Sequence, residues 1–335
     1  MLDAALTPVT KGSTPFAKGL IDVLTLSEED VKESLDLREL LDALALGFKA
    51  LSRGDVVNPA RPQLDIPGAG YSLAMSAWMP GMHLTVKIVN IFEGNVAKSV
   101  PSHLATINLY DPATGLPVCI MDGTYITAVR TSGSAVVSVR ALARPDAKVA
   151  AVIGAGVQGH QHLTLLPLVR DFTELRIVSK HFADAEELAR RHPRARAYAD
   201  AEEAVRSSDV VCLATHSYEP VIDAGWVRPG THVSSVGVAP PKGEFPTELA
   251  HKGRLFVESK DAFEPFPVGC AELAGLAADA GTELGDMLLG RAPGRTHDDA
   301  ITIYKGMGIA MEDMVAADLA FRSARHLGKG TKIVL

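Results

Sequence analysis

A glycine-rich turn that follows a short apolar run constrains the fold of this chain more than any other feature. The run is Val149–Ile153, the turn reads Gly154-Ala-Gly156-Val-Gln-Gly159, and a helix-compatible stretch follows. The first glycine permits a tight turn, the second lets the backbone approach a pyrophosphate, and the third lets the helix pack on the strand. A plain glycine-rich turn is the alternative. The strand before the turn and the helix after it favour a dinucleotide site at the helix N-terminus.

The chain from Pro145 onward alternates short apolar runs with helix-like stretches. This alternation is typical of a parallel sheet covered by helices on both faces, and it predicts an α/β fold with a doubly wound Rossmann sheet. The predicted strands are 149–153, 175–178, 210–215, 232–236, 255–258 and 301–304, with helices at 184–191 and 201–207.

The chain before Pro145 has a different pattern, which predicts a separate α+β domain. Helices are expected at 28–51 and 127–142, and four β-rich runs lie between them, at 71–75, 84–92, 105–110 and 117–121. The stretch 308–327 is again helical in pattern and is expected to return to this first domain. We therefore predict a discontinuous domain of residues 1–144 plus about 308–335, with a Rossmann domain of residues 145–307 inserted in it.

Composition excludes several classes of protein. The sequence holds 33 Lys and Arg against 40 Asp and Glu, a net charge of −7, and lacks the basic surplus of a nucleic-acid-binding domain. The three cysteines have no Cys-x-x-Cys spacing, which argues against a disulfide framework or a thiolate zinc site. No apolar run approaches the roughly 20 residues that cross a bilayer. Residues 1–20, broken by Pro8 and Pro15, do not resemble a signal peptide. We expect a cytoplasmic protein without nucleic-acid or membrane partners.

Three cationic residues of the first half lie in sequence patterns that do not favour a solvent-exposed position. Lys87 interrupts the apolar run 84–92, where a buried lysine is costly without a partner. The guanidinium of Arg130 suits bidentate binding of a carboxylate, and Arg61 lies in a less constrained loop. Taken singly, the alternatives are a strand-edge lysine that reaches water, a solvated loop arginine, and an Arg130 ion pair with Asp122. Taken together, the three cations suggest a small acidic substrate.

The end of the second Rossmann strand bears on the choice of cofactor. An acidic residue about 20 residues after the glycine turn normally accepts the ribose hydroxyls of NAD. Here the sequence reads Val178-Ser179-Lys180-His181, with no carboxylate, and Ser179 and Lys180 could bind a 2′-phosphate. We predict NADP(H) over NAD(H), the alternative being that Lys180 and His181 are solvated loop residues. The histidines and acids offer no set at ligand spacing, so we predict no metal.

Seven segments, in order, resemble the ornithine cyclodeaminase and mu-crystallin family, which also includes an alanine dehydrogenase and ketimine or imino-acid reductases. Together they extend over roughly residues 24–320. They are Thr85-Val-Lys87-Ile-Val, Pro101-Ser-His103, Met121-Asp-Gly-Thr-Tyr-Ile-Thr-Ala-Val-Arg130-Thr-Ser, the glycine turn, Ala214-Thr-His-Ser217, Glu283-Leu-Gly-Asp286-Met-Leu-Leu-Gly290 and Ile301-Thr-Ile-Tyr-Lys305-Gly-Met-Gly308.

The resemblance implies a first domain that binds the substrate and forms a homodimer, and a Rossmann domain that binds the cofactor. It matches Arg61, Lys87 and Arg130 to residues that hold the substrate carboxylate, with Lys87 also near the reacting nitrogen. Lys87 and Arg130 are the predicted catalytic residues, and Met75 is a predicted lining of the substrate pocket. The predicted cofactor contacts are Thr131, Gly154, Gly156, Val157, Gln158, Gly159, Ser179, Lys180, His181, Thr215, Val236 and Gly237.

One departure from the family's pattern bears on the reaction. Cyclodeaminase-like members carry an aspartate in a Val-Gly-x-Asp context that acts on the amine, whereas this chain has Ala239 there. We therefore expect an NAD(P)-dependent oxidoreductase of amino-acid metabolism that reduces the C=N bond of a 2-imino acid or cyclic ketimine, or that catalyses the reverse oxidation. The alternatives are an ornithine cyclodeaminase-type lyase using bound NAD, and a non-catalytic NADP-dependent binding protein. Segment 263–272 has no assignable role.

Overall fold

A computed structural model describes residues 21–335, so the expectation about residues 1–20 lies outside the described part. The first sheet is mixed and has seven strands in the order β15-β1-β6-β5-β4-β3-β2. Its strands are β1 (Asp22–Leu26), β2 (Gln63–Ile66), β3 (Gly70–Ala77), β4 (Leu84–Ile91), β5 (His103–Tyr110), β6 (Pro117–Asp122) and the C-terminal β15 (Thr331–Val334).

Helices α1 (Glu28–Ser34), α3 (Thr124–Leu142) and α9 (Ala310–Leu327) cover one face of this sheet, and α2 (Leu37–Arg53) packs against α3 and α9. The sequence predicted a single helix over 28–51, and that prediction was wrong in one respect. The helix is broken at Asp36, because the Asp36 side chain accepts hydrogen bonds from the backbone N–H of Arg38 (2.8 Å) and Glu39 (2.9 Å). Aspartate at an N-cap satisfies amide donors that have no partner within the helix, so α2 starts anew there.

The second sheet is parallel and has eight strands in the order β13-β12-β14-β11-β10-β7-β8-β9. This topology confirms the predicted α/β class with a Rossmann-type parallel sheet. Its strands are β7 (Val149–Ile153), β8 (Glu174–Val178), β9 (Ala195–Tyr198), β10 (Val210–Leu213), β11 (His232–Ser235), β12 (Arg254–Val257), β13 (Gly281–Glu283) and β14 (Thr302–Lys305). The helices of this half are α4 (Val157–Leu165), α5 (Phe182–Ala189), α6 (Ala201–Arg206), α7 (Glu248–Lys252) and α8 (Leu284–Leu288).

The segment 306–309 carries the chain from the parallel sheet back to the first sheet. It joins β14 to α9, and α9 packs against β3 and β4 as well as against its neighbouring helices. The final strand β15 then pairs antiparallel with β1, from Asp22 opposite Val334 to Thr25 opposite Thr331. In the described range, no helix combines the length and the apolar character needed to cross a membrane.

Candidate active site

The glycine turn has the geometry that a dinucleotide needs. Gly154 has φ +121°, and a Cβ atom at Gly159 would lie 2.0 Å from the Gly154 carbonyl oxygen, so both positions require glycine. At Gly156, by contrast, an added Cβ would meet no described atom within 4 Å. No side chain of the described residues caps α4, so the amides of its first turn remain available to an anion. The turn therefore fits a pyrophosphate.

The other predicted cofactor contacts near the glycine turn lie on α3, on α4 and directly after β8. Val157 is 65% exposed at the start of α4, and Gln158 accepts a hydrogen bond from Ser132 Oγ at 2.7 Å, which fixes α4 to α3. Thr131 lies beside Ser132 on α3 and is partly buried. Ser179, Lys180 and His181 follow β8, which pairs directly with β7, and Lys180 and His181 are exposed.

The loops that follow β10 and β11 are held together by one buried carboxylate, Glu244, which sequence reasoning missed. One oxygen of Glu244 accepts from the backbone N–H (2.6 Å) and the hydroxyl (2.7 Å) of Thr215. The other accepts from the backbone N–H of Val236 (3.1 Å) and Gly237 (2.6 Å). The predicted contacts Thr215, Val236 and Gly237 therefore share an anchor. Glu244 follows a Pro-Pro-Lys-Gly stretch, and no motif distinguishes it from a surface acid.

Lys87 lies on β4, an interior strand of the first sheet, and is fully buried. Its strand β4 is paired on both sides, so the alternative of a strand-edge lysine that reaches water was wrong. The ammonium lies 2.7 Å from a carboxylate oxygen of Asp313 on α9 and donates to Thr127 Oγ1 at 3.4 Å. Burial, followed by the charge of Arg130, lowers the pKa of Lys87 to about 8, although Asp313 opposes the change.

Arg130 is buried on α3 and is bound by two acids of α9. Its Nε donates to Asp313 Oδ1 at 2.9 Å and its Nη1 to Glu312 Oε2 at 2.5 Å. The suggested ion pair with Asp122 was wrong, since Asp122 instead accepts from the backbone N–H of Tyr125 at 2.9 Å. Burial disfavours the charge on Arg130, but Asp313 and Glu312 outweigh it and raise the pKa of the guanidinium.

Arg61 is partly buried and bound to main-chain carbonyls, so the alternative of a solvated loop arginine was wrong. Its Nη1 donates to the carbonyl oxygens of Met307 (3.1 Å) and Gly308 (2.7 Å), and its Nη2 to that of Pro267 (3.4 Å). Burial lowers the pKa of Arg61, but an arginine guanidinium stays charged in proteins. Because carbonyl oxygens carry no formal charge, the positive charge of Arg61 is not neutralised by these contacts.

A narrow cavity lies next to these cations, and Arg61 is the one of the three that is part of its lining. Met75, the predicted pocket residue, lies in this cavity and pairs with Lys87 across β3 and β4. A Cβ atom at Gly308 would lie 2.6 Å from Arg130 Nη1, so the Arg130 guanidinium lies directly against this part of the cavity wall. The lining residues are Asn58, Pro59, Ala60, Arg61, Met75, Asp261, Val268, Met307, Gly308, Ile309 and Ala310.

The cavity wall at Met307 and Gly308 is fixed by Glu258, a second acid that sequence reasoning missed. One Glu258 oxygen accepts from the backbone N–H of Met307 (3.1 Å) and Gly308 (2.9 Å), and the other accepts from the Tyr304 hydroxyl (3.0 Å). The carbonyls of the same two residues hold Arg61. Glu258 therefore holds in place the loop whose carbonyl oxygens bind Arg61.

Segment 263–272, which had no assignable role, contributes to the site at two points. The Pro267 carbonyl accepts from Arg61, and Glu272 forms a fully buried ion pair with Lys305 at 2.9 Å. The same lysine donates to the Gly237 carbonyl at 2.5 Å. The segment thus connects the wall of the cavity with the loop after β11.

Fold and site together define a class: a dinucleotide-binding α/β protein with a parallel sheet, a cavity lined by Arg61, and two buried cations, Lys87 and Arg130, next to that cavity. Residues 22–327 match the model of the "Ornithine cyclodeaminase/mu-crystallin family", and the chain belongs to that family.

Three proteins of known character are similar to the chain over most of its length. Ketimine reductase mu-crystallin of Mus musculus is 33% identical over 306 residues, covering 89% of this chain and 96% of that protein. The Thermococcus litoralis Delta(1)-pyrroline-2-carboxylate reductase, solved with NADH and L-proline, has a TM-score of 0.87 and 31% identity, covering 93% of this chain and 100% of that one. An archaeal alanine dehydrogenase dimer with bound NAD has a TM-score of 0.86 and 28% identity, with 93% and 99% coverage.

Proposed function

We propose that this protein is an NAD(P)-dependent oxidoreductase that reduces the C=N bond of a 2-imino acid or cyclic ketimine, or oxidises the corresponding amino acid. The observation that carries the proposal is a cavity lined by Arg61, Met75 and Gly308, with the two other cations next to its wall. Arg130 lies against Gly308, and Lys87 pairs with Met75 across the sheet. The reductases and the alanine dehydrogenase to which the chain is similar support the reaction class.

Each cation has a distinct role in the proposed reaction. Arg61 and Arg130 bind the substrate carboxylate, and such fixed orientation is worth several kcal/mol of the barrier. A bound nicotinamide supplies the hydride that goes to the C=N carbon. Lys87 gives a proton to the nitrogen or orients the carboxylate, and a pKa of about 8 suits proton donation near neutral pH.

A cyclodeaminase reaction is less well supported. The position that would carry the amine-binding aspartate is held by Ala239, which is 2% exposed and has no group that could bind an amine. Release of ammonia from ornithine without net cofactor turnover would favour the lyase instead. A non-catalytic binding role is disfavoured because the chain keeps all three cations in and next to the cavity wall. Turnover of any imine would exclude that role.

We also propose NADP(H) as the preferred cofactor. Ser179, Lys180 and His181 follow the strand next to the glycine turn, and none of them is acidic. An acidic side chain there would repel a 2′-phosphate, whereas Lys180 attracts it. The neighbours solved with NADH or NAD leave this preference as a proposal for this chain.

The proposed assembly is a homodimer located in the cytoplasm. Residues 1–144 plus about 308–335 would form the substrate-binding and dimerisation domain around the inserted cofactor domain, 145–307, and the pairing of β15 with β1 supports this division. The face of the first sheet opposite the helices carries partly exposed apolar side chains, including Val86, Ile88 and Ile120, which favours a covering partner. Free thiols at all three cysteines suit a reducing compartment.

The test of the function is a comparison of Lys87→Met with the wild-type protein. Oxidation of NADPH or NADH is followed with pyrroline-2-carboxylate, or with pyruvate plus methylamine, as the imine source. Because loss of a proton donor slows the chemical step, we expect kcat to fall at least about 100-fold while NADPH still binds if Lys87 gives the proton. Lys98→Met, at an exposed lysine, is the matched control and should keep its activity. Full imine reduction by Lys87→Met would exclude the role proposed for Lys87.

A further inference from the structure

Asp313 contacts two of the three cations with a single carboxylate. Its Oδ1 lies 2.9 Å from Arg130 Nε and its Oδ2 lies 2.7 Å from Lys87 Nζ. All three side chains are almost completely inaccessible to solvent, so water screens these contacts very little. The carboxylate also joins three elements, because Lys87 lies on β4, Arg130 on α3 and Asp313 on α9.

The adjacent acid, Glu312, differs from Asp313 in one informative respect. It is equally buried and also binds Arg130, and its second oxygen accepts from Ser134 Oγ at 2.7 Å. In the described part of the chain, Asp313 is the acid that forms an ion pair with Lys87. Glu312 forms its ion pair with Arg130 and none with Lys87. Of the two cations, substitution of Glu312 therefore changes a contact with Arg130 alone, whereas substitution of Asp313 changes contacts with both Arg130 and Lys87.

We propose that Asp313 is a positioning residue of the reductase, whose carboxylate fixes Lys87 relative to Arg130 and keeps the Lys87 ammonium protonated for transfer to the imine nitrogen. This inference rests on the proposed function. The transferred proton leaves Lys87 Nζ as the hydride from NAD(P)H reaches the C=N carbon, so the imine is reduced, NAD(P)H is oxidised, and the lysine regains its proton from water.

The charges around Lys87 support this role. Burial and the Arg130 guanidinium on α3 both disfavour the ammonium, while Asp313 and, more weakly, Glu312 on α9 favour it. The pKa of about 8 results from these opposing influences. An opposite charge within about 4–6 Å typically shifts a pKa by about 1–3 units, so loss of the Asp313 charge should lower the pKa of Lys87 further. A proton donor works only below its pKa, so activity should then be lost at a lower pH.

The experiment compares Asp313→Asn with Glu312→Gln in pH profiles of kcat/KM for imine reduction. In Asp313→Asn we expect the alkaline limb to move about one pH unit or more to lower pH. In Glu312→Gln, which leaves the Lys87 ion pair in place, the limb should stay near its wild-type position. Equal movement in both variants, or none in Asp313→Asn, would overturn the proposal, since a merely structural acid would lower activity without moving the limb.

Two further measurements keep the inference testable in all cases. The Lys87 resonance of protein labelled with ¹³C-lysine, assigned by its loss in Lys87→Met, reports its titration without turnover. If no imine is reduced, the proposed function fails, and an unchanged Lys87 pKa in Asp313→Asn would separately overturn this inference.

If Asp313→Asn does not fold, Asp313→Glu keeps the charge but displaces it, so the alkaline limb should stay while KM for the imino acid rises. An unchanged KM would contradict the positioning role.

Discussion

At the scale of single residues, the cations could be predicted and their partners could not. A lysine within an apolar strand is anomalous by itself, because burial of its charge is costly. Glu312 and Asp313 carry no such anomaly, since acids are common in the first turn of a helix, where they favour the helix dipole. Their proximity to Lys87 and Arg130 depends on the packing of α9 against β4 and α3, which no local pattern records.

Gly308→Ala tests whether Arg130 reaches the cavity through this glycine. Because a Cβ atom would lie 2.6 Å from Arg130 Nη1, we expect KM for the imino acid to rise about tenfold, or about 1.4 kcal/mol, without weaker NADPH binding. The left-handed backbone, at φ +76°, adds about 1–2 kcal/mol of strain. Gly290→Ala, at φ +73° with no described atom within 4 Å of its Cβ, is the matched control for that strain. Steady-state kinetics should separate the two variants, and equal KM values would contradict the contact.

At the scale of elements, the segments between strands determine the site more than the strands do. The loops after β10 and β11 are joined through Glu244, and the link between β14 and α9 binds Arg61 through the Met307 and Gly308 carbonyls. The strands were predictable because buried parallel strands form apolar runs bounded by turns. The loop contacts were not, because their partners are distant in sequence and have no characteristic spacing.

Glu244→Gln tests the anchor of these loops. Its amide nitrogen would face backbone N–H donors that now bind a carboxylate oxygen, so at least one buried donor loses its acceptor, at a cost of about 1–3 kcal/mol. We expect a lower melting temperature and weaker NADPH binding, measured by thermal unfolding with and without cofactor. Glu219→Gln, in an exposed ion pair with Lys242, should cost less than about 1 kcal/mol. A similar loss in both variants would exclude a special role for Glu244.

At the scale of the whole molecule, the two faces of the first sheet have different surroundings. The residues of β4 alternate between a buried set, which includes Lys87, and a partly exposed set, which includes Val86 and Ile88. Helices cover the first set. The second set would be covered in the proposed homodimer.

Ile88→Glu places a charge in the middle of that outer face. Burial of an unpaired carboxylate in an interface is costly, so we expect the dimer to dissociate to a species near the 35.5 kDa monomer, measured by light scattering. Leu46→Glu, at a 62% exposed position on α2, is the control and should leave the mass unchanged. A dimer that survives Ile88→Glu would locate the interface elsewhere.

The sequence by itself determined the parallel sheet, the glycine turn and the identity of the three cations. The sheet is visible in the periodicity of its apolar runs, the turn in the spacing of its glycines, and the cations in their charge. It also indicated the return of 308–327 as a helix, but not the strand β15 that follows, whose four residues are mostly exposed and too few to show a clear alternation. Only the tertiary structure decided which acids face the cations and which glycine of the cavity wall lies against Arg130. Those relations join residues far apart in the sequence, such as Arg130 and Asp313 at a separation of 183 positions, and arise from packing that short-range patterns do not encode.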